Sequence, residues 1–271
     1  MIGSFTLIKD EAEWIGGHLE MWLPLLSEMV FFDGNSTDGT QQIILDVAHN
    51  HPMGHKVKLF TDKDPKDLRD DYVRVFNECL KSVESDHAAF IHPDMIPVTM
   101  GWNLYNAPAH FMRVESYAGD SMSDLQHIKR GRTDKWKNIY QLKPDLGAHY
   151  FGHYGSAEED IYFSEITGDS HEIYADLARY PYRIADSGIK ILHFSDVRPY
   201  SRRLDRMAKC LANQGHGPAN VEKLAPLHPR VSLKNNLAFE FSRDIPADSL
   251  AAINRFKSYN AKYEHHRSAL A

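Results

Sequence analysis

The sequence is poor in cysteine. Only Cys79 and Cys210 occur in 271 residues, and neither has a partner at metal-ligand spacing. That excludes a disulfide-dense scaffold and a cysteine-ligated zinc module, and it makes a reduced, cytoplasmic protein the expectation. No apolar run approaches the ~20 residues that span a bilayer. The stretch Met1-Ile2-Gly3-Ser4-Phe5-Thr6-Leu7 has no basic residues and runs straight into an apolar segment. It reads as a core strand rather than a signal peptide. There is no internal repeat and no low-complexity tract, so solenoid and fibrous classes drop out.

The remaining composition is that of a globular chain, with 42% hydrophobic and 25% charged residues, and a chain of this length buries one sizeable core. The charge is uneven. Residues 1–180 hold 16 Lys and Arg against 29 Asp and Glu, a balance of −13, and residues 181–271 hold 15 against 8, a balance of +7. A basic C-terminal part suits an anionic ligand such as a diphosphate, a nucleic acid or a lipid headgroup. Attraction between the two halves of the chain explains it as well.

The first hundred residues alternate strand and helix signals. Ile2–Ile8 is a strand-length apolar run, and Glu13–Leu26 has helical spacing at Trp14, Ile15, Leu19, Trp22 and Leu23. Met29–Phe32 reads as a second strand, Gln41–His49 as a helix and Val57–Phe60 as a third strand. Leu68–Val83 reads as a helix and Ala88–Ile91 as a fourth strand. This rhythm predicts a parallel sheet with helices packed on it, and ligands of such sheets bind outside the carboxyl ends of the strands. Lys9-Asp10-Glu11, Asp33 and His92-Pro93-Asp94 fall at those ends. Further on, Phe111–Tyr117 alternates like a half-exposed strand, and Tyr182–His193 reads as a strand pair around Asp186-Ser187-Gly188. Residues 218–245 have few regular signals, and Ala247–Tyr259 reads as a final helix.

Four constellations have the residue types of a chemical site. The turn Asp33-Gly34-Asn35-Ser36-Thr37-Asp38-Gly39-Thr40 follows a buried strand and precedes a helix. Such a turn is either a well-capped connection or a place where a carboxylate accepts a hydrogen bond from a base such as uracil. His92-Pro93-Asp94 offers an imidazole and a carboxylate. Ala157-Glu158-Glu159-Asp160 is acidic, either as the first turn of a helix capped by Ser156 or as a source of a general base. Ile191-Leu192-His193 leads into Arg198, Ser201, Arg202 and Arg203, a run suited to a diphosphate or to a solvated helix face. Before the acidic cluster, Gly147–Gly155 carries His149, Tyr150, His153 and Tyr154, whose rings suit stacking on a sugar or base. His149 and His153 have zinc-like spacing but too few companions for a structural zinc.

The turn Asp33–Thr40 resembles the "DGGSTDGT" string of family-two GT-A glycosyltransferases, and Leu7–Ile15 looks like the "VKNEEENI" segment of that large inverting family. His92-Pro93-Asp94 falls where the family reads "LDADEIP", with Asp71 and Asn77 matching its upstream "DFSAQRN" segment. The first acid of the metal pair is His92 here, so the metal motif is altered. Glu159-Asp160 resembles the family's "ED" motif. The resemblance covers residues 4–100 well and 150–205 more weakly.

It implies a GT-A fold, Rossmann-like with a mostly parallel central sheet and flanking helices, plus a C-terminal helical or irregular extension. The expected division is a nucleotide-sugar part over 1–100, an acceptor and catalytic part over 101–204, and a basic extension over 205–271. Thr6, Lys9, Glu11, Asp33 and Asn77, with Arg198 and Arg202, would hold a nucleotide sugar, expected to be a UDP-sugar. Asp94, His193 and His92 would hold Mn²⁺ or Mg²⁺. One carboxylate with imidazole suits Mn²⁺ better, because Mg²⁺ prefers oxygen. Asp160, with Glu159 as the fallback, would be the base of an inverting in-line transfer, and His149, Tyr150, His153 and Tyr154 would meet the acceptor.

Three functions follow from the resemblance. In the first, the acceptor hydroxyl would belong to a 5-hydroxymethylpyrimidine in DNA, as in the phage enzymes associated with TET-type oxidases that the chain is similar to in build. In that case the setting is a host cytoplasm. Alternatively the acceptor is a glycan or lipid-linked saccharide, or the chain is a non-catalytic sugar-nucleotide-binding module. A nucleotidyltransferase of similar fold is disfavoured, because no glycine-rich phosphate loop with a following Arg and Lys stands near the N-terminus.

Overall fold

The structure is a computed structural model that describes residues 1–61, 75, 82–99, 109–130, 135–141, 184–213, 217–233 and 240–268. The chain divides into two compact units. One comprises Met1–Arg113, Lys135–Ile191 and Ala252–Ala271, and the other Val114–Asp134 and Leu192–Ala251.

The α/β class expected from the sequence is observed. In the first unit β1 (Ile2–Ile8) is central, with β2 (Glu28–Asp33) and β4 (His87–Phe90) parallel on its two sides and β3 (Val57–Thr61) parallel beyond β2. β8 (Lys135–Gln141) continues the sheet antiparallel to β4, and the start of β6 (Ala109–Gly119) pairs antiparallel with β8. Parallel strands buried on both faces read as continuous apolar runs, and β2 is buried throughout. Phe5 stacks on Phe90 across the β1–β4 pair with ring centroids 5.1 Å apart.

Helices α1 (Ala12–Trp22) and α2 (Thr40–Asn50) are the crossovers. Trp14, Ile15, Leu19 and Trp22 of α1 are all buried, and full burial of such side chains stabilises by about 1.5–3 kcal/mol each. The helix ends at Trp22, earlier than the apolar spacing predicts. Leu23 keeps helical backbone angles, but Pro24 has no amide to donate, which breaks the helical hydrogen-bond ladder at that position. The helix expected over 68–83 lies outside the described residues except at its C-terminal end and at Val75, which is helical and buried.

The strand pair expected over 182–193 is instead one long strand, β9 (Ile184–Val197). Asp186-Ser187-Gly188 is a turn signal by composition, but here it makes a kink. Gly188 takes φ 75°, a conformation that only glycine adopts at little cost. The Ser187 hydroxyl accepts the Ile189 amide at 3.2 Å. Beside the kink, Thr99 Oγ1 donates to the Gly188 carbonyl at 3.2 Å and accepts the Lys190 amide at 3.0 Å. The strand therefore continues through its turn-like residues, with β5 (Met95–Pro97) paired to it.

The end of the chain returns to the first unit. From Ala252 onward, α6 (Ala247–Ala261) and α7 (Glu264–Ser268) belong to it. Phe256 stacks on Trp14 at 5.7 Å, and a Cβ at Gly17 would overlap the Phe256 ring, so this close approach requires glycine. Asn260 donates to the Glu13 carbonyl at 2.6 Å and accepts the Gly17 amide at 3.0 Å. Lys262 and the Tyr263 hydroxyl both reach Glu20, at 3.0 and 2.9 Å. C-terminal cations thus meet N-terminal acids, as the uneven charge allows.

In the second unit, the later part of β6 pairs antiparallel with β7 (Gln126–Arg130), and β7 pairs with β10 (Glu240–Ser242). Residues 218–245, which carry few signals in the sequence, hold α4 (Pro218–Leu224), α5 (Pro229–Ser232) and β10. Helix α3 (Tyr200–Asn213) packs Met207 and Leu211 against Ala225 and Val231. Among the described residues no helix is long and apolar enough to cross a membrane.

Candidate nucleotide-sugar site

Three parallel strands, β4, β1 and β2, deliver their carboxyl ends to one edge of the first unit. That edge carries Lys9-Asp10-Glu11 after β1, the Asp33 turn after β2 and His92-Pro93-Asp94 after β4. With neighbouring strands about 4.8 Å apart, the ends of β2 and β4 stand about 10 Å from each other.

The first two loops are meshed by side chain-to-backbone hydrogen bonds. Asp10 takes φ 53°, a left-handed conformation that Asp tolerates better than most residues. Its Oδ1 accepts the Thr37 amide at 2.8 Å, and its own amide donates to Ser36 Oγ at 2.8 Å. Asp38 reciprocates. Its Oδ2 accepts the Ala12 amide at 2.9 Å, and its Oδ1 accepts the Thr40 amide at 3.1 Å and the Thr40 hydroxyl at 2.5 Å. One carboxylate thereby accepts the first amide of both α1 and α2, whose N-terminal amides have no partner within the helix. The Glu11 amide donates to Thr40 Oγ1 at 2.8 Å, and Lys9 Nζ donates to the Gly34 carbonyl at 2.7 Å.

Asp33 is fully buried. Its carboxylate accepts the Ser36 amide at 2.9 Å, the Ser36 hydroxyl at 2.5 Å and Gln41 Nε2 at 2.5 Å. This geometry is that of the well-capped connection. The carboxylate organises its own loop, and a carboxylate with about four acceptor positions retains capacity for one further donor. Gln41 was not singled out in the sequence, although it lies in the helical turn that directly follows the motif.

The His92-Pro93-Asp94 turn is built from beneath. Thr6, buried on β1, donates its hydroxyl to the Ile91 carbonyl at 2.8 Å, and the Met95 amide donates to the His92 carbonyl at 3.0 Å. Asp94 is buried, and the half-buried His92 ring meets Phe90 edge-on with centroids 4.6 Å apart. The Met95 carbonyl accepts Trp22 Nε1 at 2.9 Å and lies 3.2 Å from His18 Nδ1. For Nδ1 to donate there, the proton of the neutral ring sits on Nδ1. Burial pushes His18 down to about 3, against the Met95 and Pro93 carbonyls, which favour the charged form. His18 is therefore a neutral support under the turn. The sequence signal was its position on the apolar face of α1, four residues from both Trp14 and Trp22.

In the second unit His193 is buried on β9. The basic run after it divides into three different environments. Arg203 is buried, and its Nη1 donates to the Gly119 carbonyl at 2.7 Å, the Arg198 carbonyl at 2.5 Å and Asp120 at 2.9 Å, while Nη2 reaches the Val231 carbonyl at 3.2 Å. Arg198 is half-buried and Arg202 is exposed. Asn77, Glu159, Asp160, His149, Tyr150, His153 and Tyr154 lie outside the described residues.

No protein-family model matches the chain, and no curated protein does. Among solved structures it is similar to a mannosyltransferase from Pyrobaculum calidifontis in complex with GDP-mannose and Mn²⁺, at 13% identity and TM-score 0.45, over 99% of this chain and 73% of that one. It is also similar to S. aureus TarS residues 1–349 in complex with UDP, at 16% identity and TM-score 0.43, over 87% of this chain and 75% of that one. A third is the inositol-1-phosphate CTP transferase from T. maritima, at 7% identity and TM-score 0.36, over 70% and 88%. With these TM-scores below 0.5, a functional reading stands on the residues of this chain.

Proposed function

We propose that this chain is a GT-A glycosyltransferase of the inverting kind, which transfers a sugar from a nucleotide-sugar donor to an acceptor hydroxyl. The observation that carries the reading is the convergence of the three motif loops at the carboxyl edge of the parallel strands. A nucleoside diphosphate bridges about the 10 Å that two strand spacings separate. In this reading Asp33 and Glu11, with Lys9, hold the nucleoside of a UDP-sugar, and Thr6 positions the adjoining turn through Ile91. The sequence offers Asn77 and the cations Arg198 and Arg202 as further candidates for the diphosphate.

The donor set His92 and Asp94 suits Mn²⁺ by its mixture of imidazole and carboxylate, and Asp94 is buried at a strand end, where a metal ligand belongs. The sequence adds His193 as a third ligand. When bound, the metal neutralises charge on the leaving diphosphate. The acceptor oxygen attacks the anomeric carbon, the bond to the diphosphate breaks, and Asp160 takes the acceptor proton, with Glu159 as the alternative base. His149, Tyr150, His153 and Tyr154 line the acceptor side in this proposal.

The acceptor is a 5-hydroxymethylpyrimidine in DNA in one form of the proposal and a glycan in the other. The basic C-terminal part favours DNA, but part of its charge is paired with acids of the same chain. Arg203 is buried, Lys262 pairs with Glu20 and Arg243 with Asp124. This lessens the electrostatic case for a polyanion. An acceptor screen by mass spectrometry tests the whole reading, using pooled nucleotide sugars, Mn²⁺, hydroxymethylcytosine DNA, hydroxymethyluracil DNA and glycans. One acceptor gains a hexose mass with wild-type protein. Asp160→Asn loses transfer and keeps donor binding, whereas retained turnover in that variant removes Asp160 from the base role. Absence of any transfer or donor hydrolysis leaves the sugar-nucleotide-binding module as the function.

A further inference from the structure

A second group of metal-ligating side chains lies outside the strand-end site. Asp46, toward the C-terminal end of α2, faces His265 and His266 in α7, and one ligating atom from each of the three lies within 4.8 Å of the others. His266 Nε2 and Asp46 Oδ2 are 3.4 Å apart, and the two imidazole rings stand 4.0 Å apart between centroids, tilted by 39°. Asp46 Oδ1 accepts Asn50 Nδ2 at 2.6 Å, so Oδ2 is the oxygen turned toward His266. The Asn50 hydrogen bond, opposed by burial and aided by His266, holds the Asp46 carboxyl below its usual range.

The His266–Asp46 distance suits shared coordination better than a direct bond. A hydrogen bond between N and O is usually about 2.9–3.0 Å long, and 3.4 Å is loose for one. Two ligands on one tetrahedral ion, each about 2.0–2.1 Å from it, stand roughly 3.3 Å apart. Two imidazoles held this close can turn their ring nitrogens toward one ion, which engages both lone pairs. Two nitrogens and one oxygen select zinc-class transition ions over Mg²⁺ or Ca²⁺, which take oxygen. The partly exposed setting lets water complete the shell. The C-terminal segment is already docked through Phe256, Asn260 and Tyr263, so the histidines need little further ordering.

We propose that Asp46, His265 and His266 form a divalent transition-metal site of the zinc class, which fastens the C-terminal helix to α2. The site is independent of the glycosyltransferase reading. The test uses full-length protein stripped with chelator and titrated with Zn²⁺ and, for spectroscopy, Co²⁺. Zn²⁺ at a hundredfold over Kd raises Tm by about 5 °C, and Co²⁺ gives tetrahedral visible bands. His265→Ala, an exposed position, and His266→Ala each weaken Zn²⁺ binding at least tenfold and abolish those bands, and Asp46→Asn weakens binding as well. Asp94→Asn leaves Zn²⁺ affinity within twofold. The proposal is overturned if neither ion has an effect on wild-type protein, if the histidine variants bind as wild type does, or if the effect disappears in Asp94→Asn.

Discussion

The two compact units place their charged side chains in opposite ways. At the edge of the first unit, carboxylates are held by backbone amides, and Asp10, Asp33 and Asp38 mesh two loops and accept the first amides of two helices. In the second, a buried cation is held by backbone carbonyls, and Arg203 joins Gly119, Arg198 and Val231. In both, a residue that looks like a ligand contact in the sequence first serves its own backbone. The difference lies in what remains. The acidic loops leave a concentrated set of polar groups at one sheet edge, whereas the basic run leaves Arg202 exposed beside a buried neighbour.

Four measurements break or sharpen that contrast. Arg203→Met has the largest expected effect, a loss of about 3 kcal/mol from charged hydrogen bonds to carbonyls, read as a lower midpoint in urea denaturation. An unchanged midpoint makes Arg203 available to a ligand after all. Asp33→Ala removes three donors' acceptor and costs about 2 kcal/mol. Because Ser36 and Gln41 are freed, the double variant with Gln41→Ala loses less than the two single variants summed. Full additivity removes the meshed-loop account of the turn.

The third is a pH effect of His18. An unfolded histidine takes its proton near pH 6.5 and the folded one at about 3, so below 6.5 the unfolded state binds the proton first. Stability falls as the pH drops through that window, by about 2 kcal/mol at pH 5, and His18→Asn flattens the dependence. A profile identical in variant and wild type places the acid sensitivity elsewhere. The smallest effect on stability is that of Arg202→Ala, within about 0.5 kcal/mol for an exposed side chain. That variant nonetheless weakens nucleotide-sugar binding under the proposed function, as calorimetry checks. Unaltered binding makes Arg202 a solvated helix face.

The strand β2 was legible because burial on both faces writes it as an unbroken apolar run, Met29–Phe32. The Asp33 turn was legible because a strand end followed by a helix start demands its residue types. The mesh between Asp10, Ser36, Thr37 and Asp38 was hidden, since it joins loops that are distant in the chain and depends on a left-handed Asp10. The β9 kink was misread because Asp-Ser-Gly has the same composition in a turn and in a bent strand. Residues 218–245 gave no periodic signal because α4, α5 and β10 are too short to show one. His18 had helical spacing in plain view, but its partners, the carbonyls of Pro93 and Met95, carry no side-chain signature.

The most direct test of the central claim is equilibrium binding of individual nucleotide sugars, UDP-sugars first, to wild-type protein and to Asp33→Asn and Asp94→Asn in the presence of Mn²⁺. The proposed function requires wild type to bind at least one of them. It requires Asp33→Asn to lose affinity with and without metal, and Asp94→Asn to lose only the metal-dependent part. Binding that is absent from wild type, or equal in all three folded proteins, contradicts it.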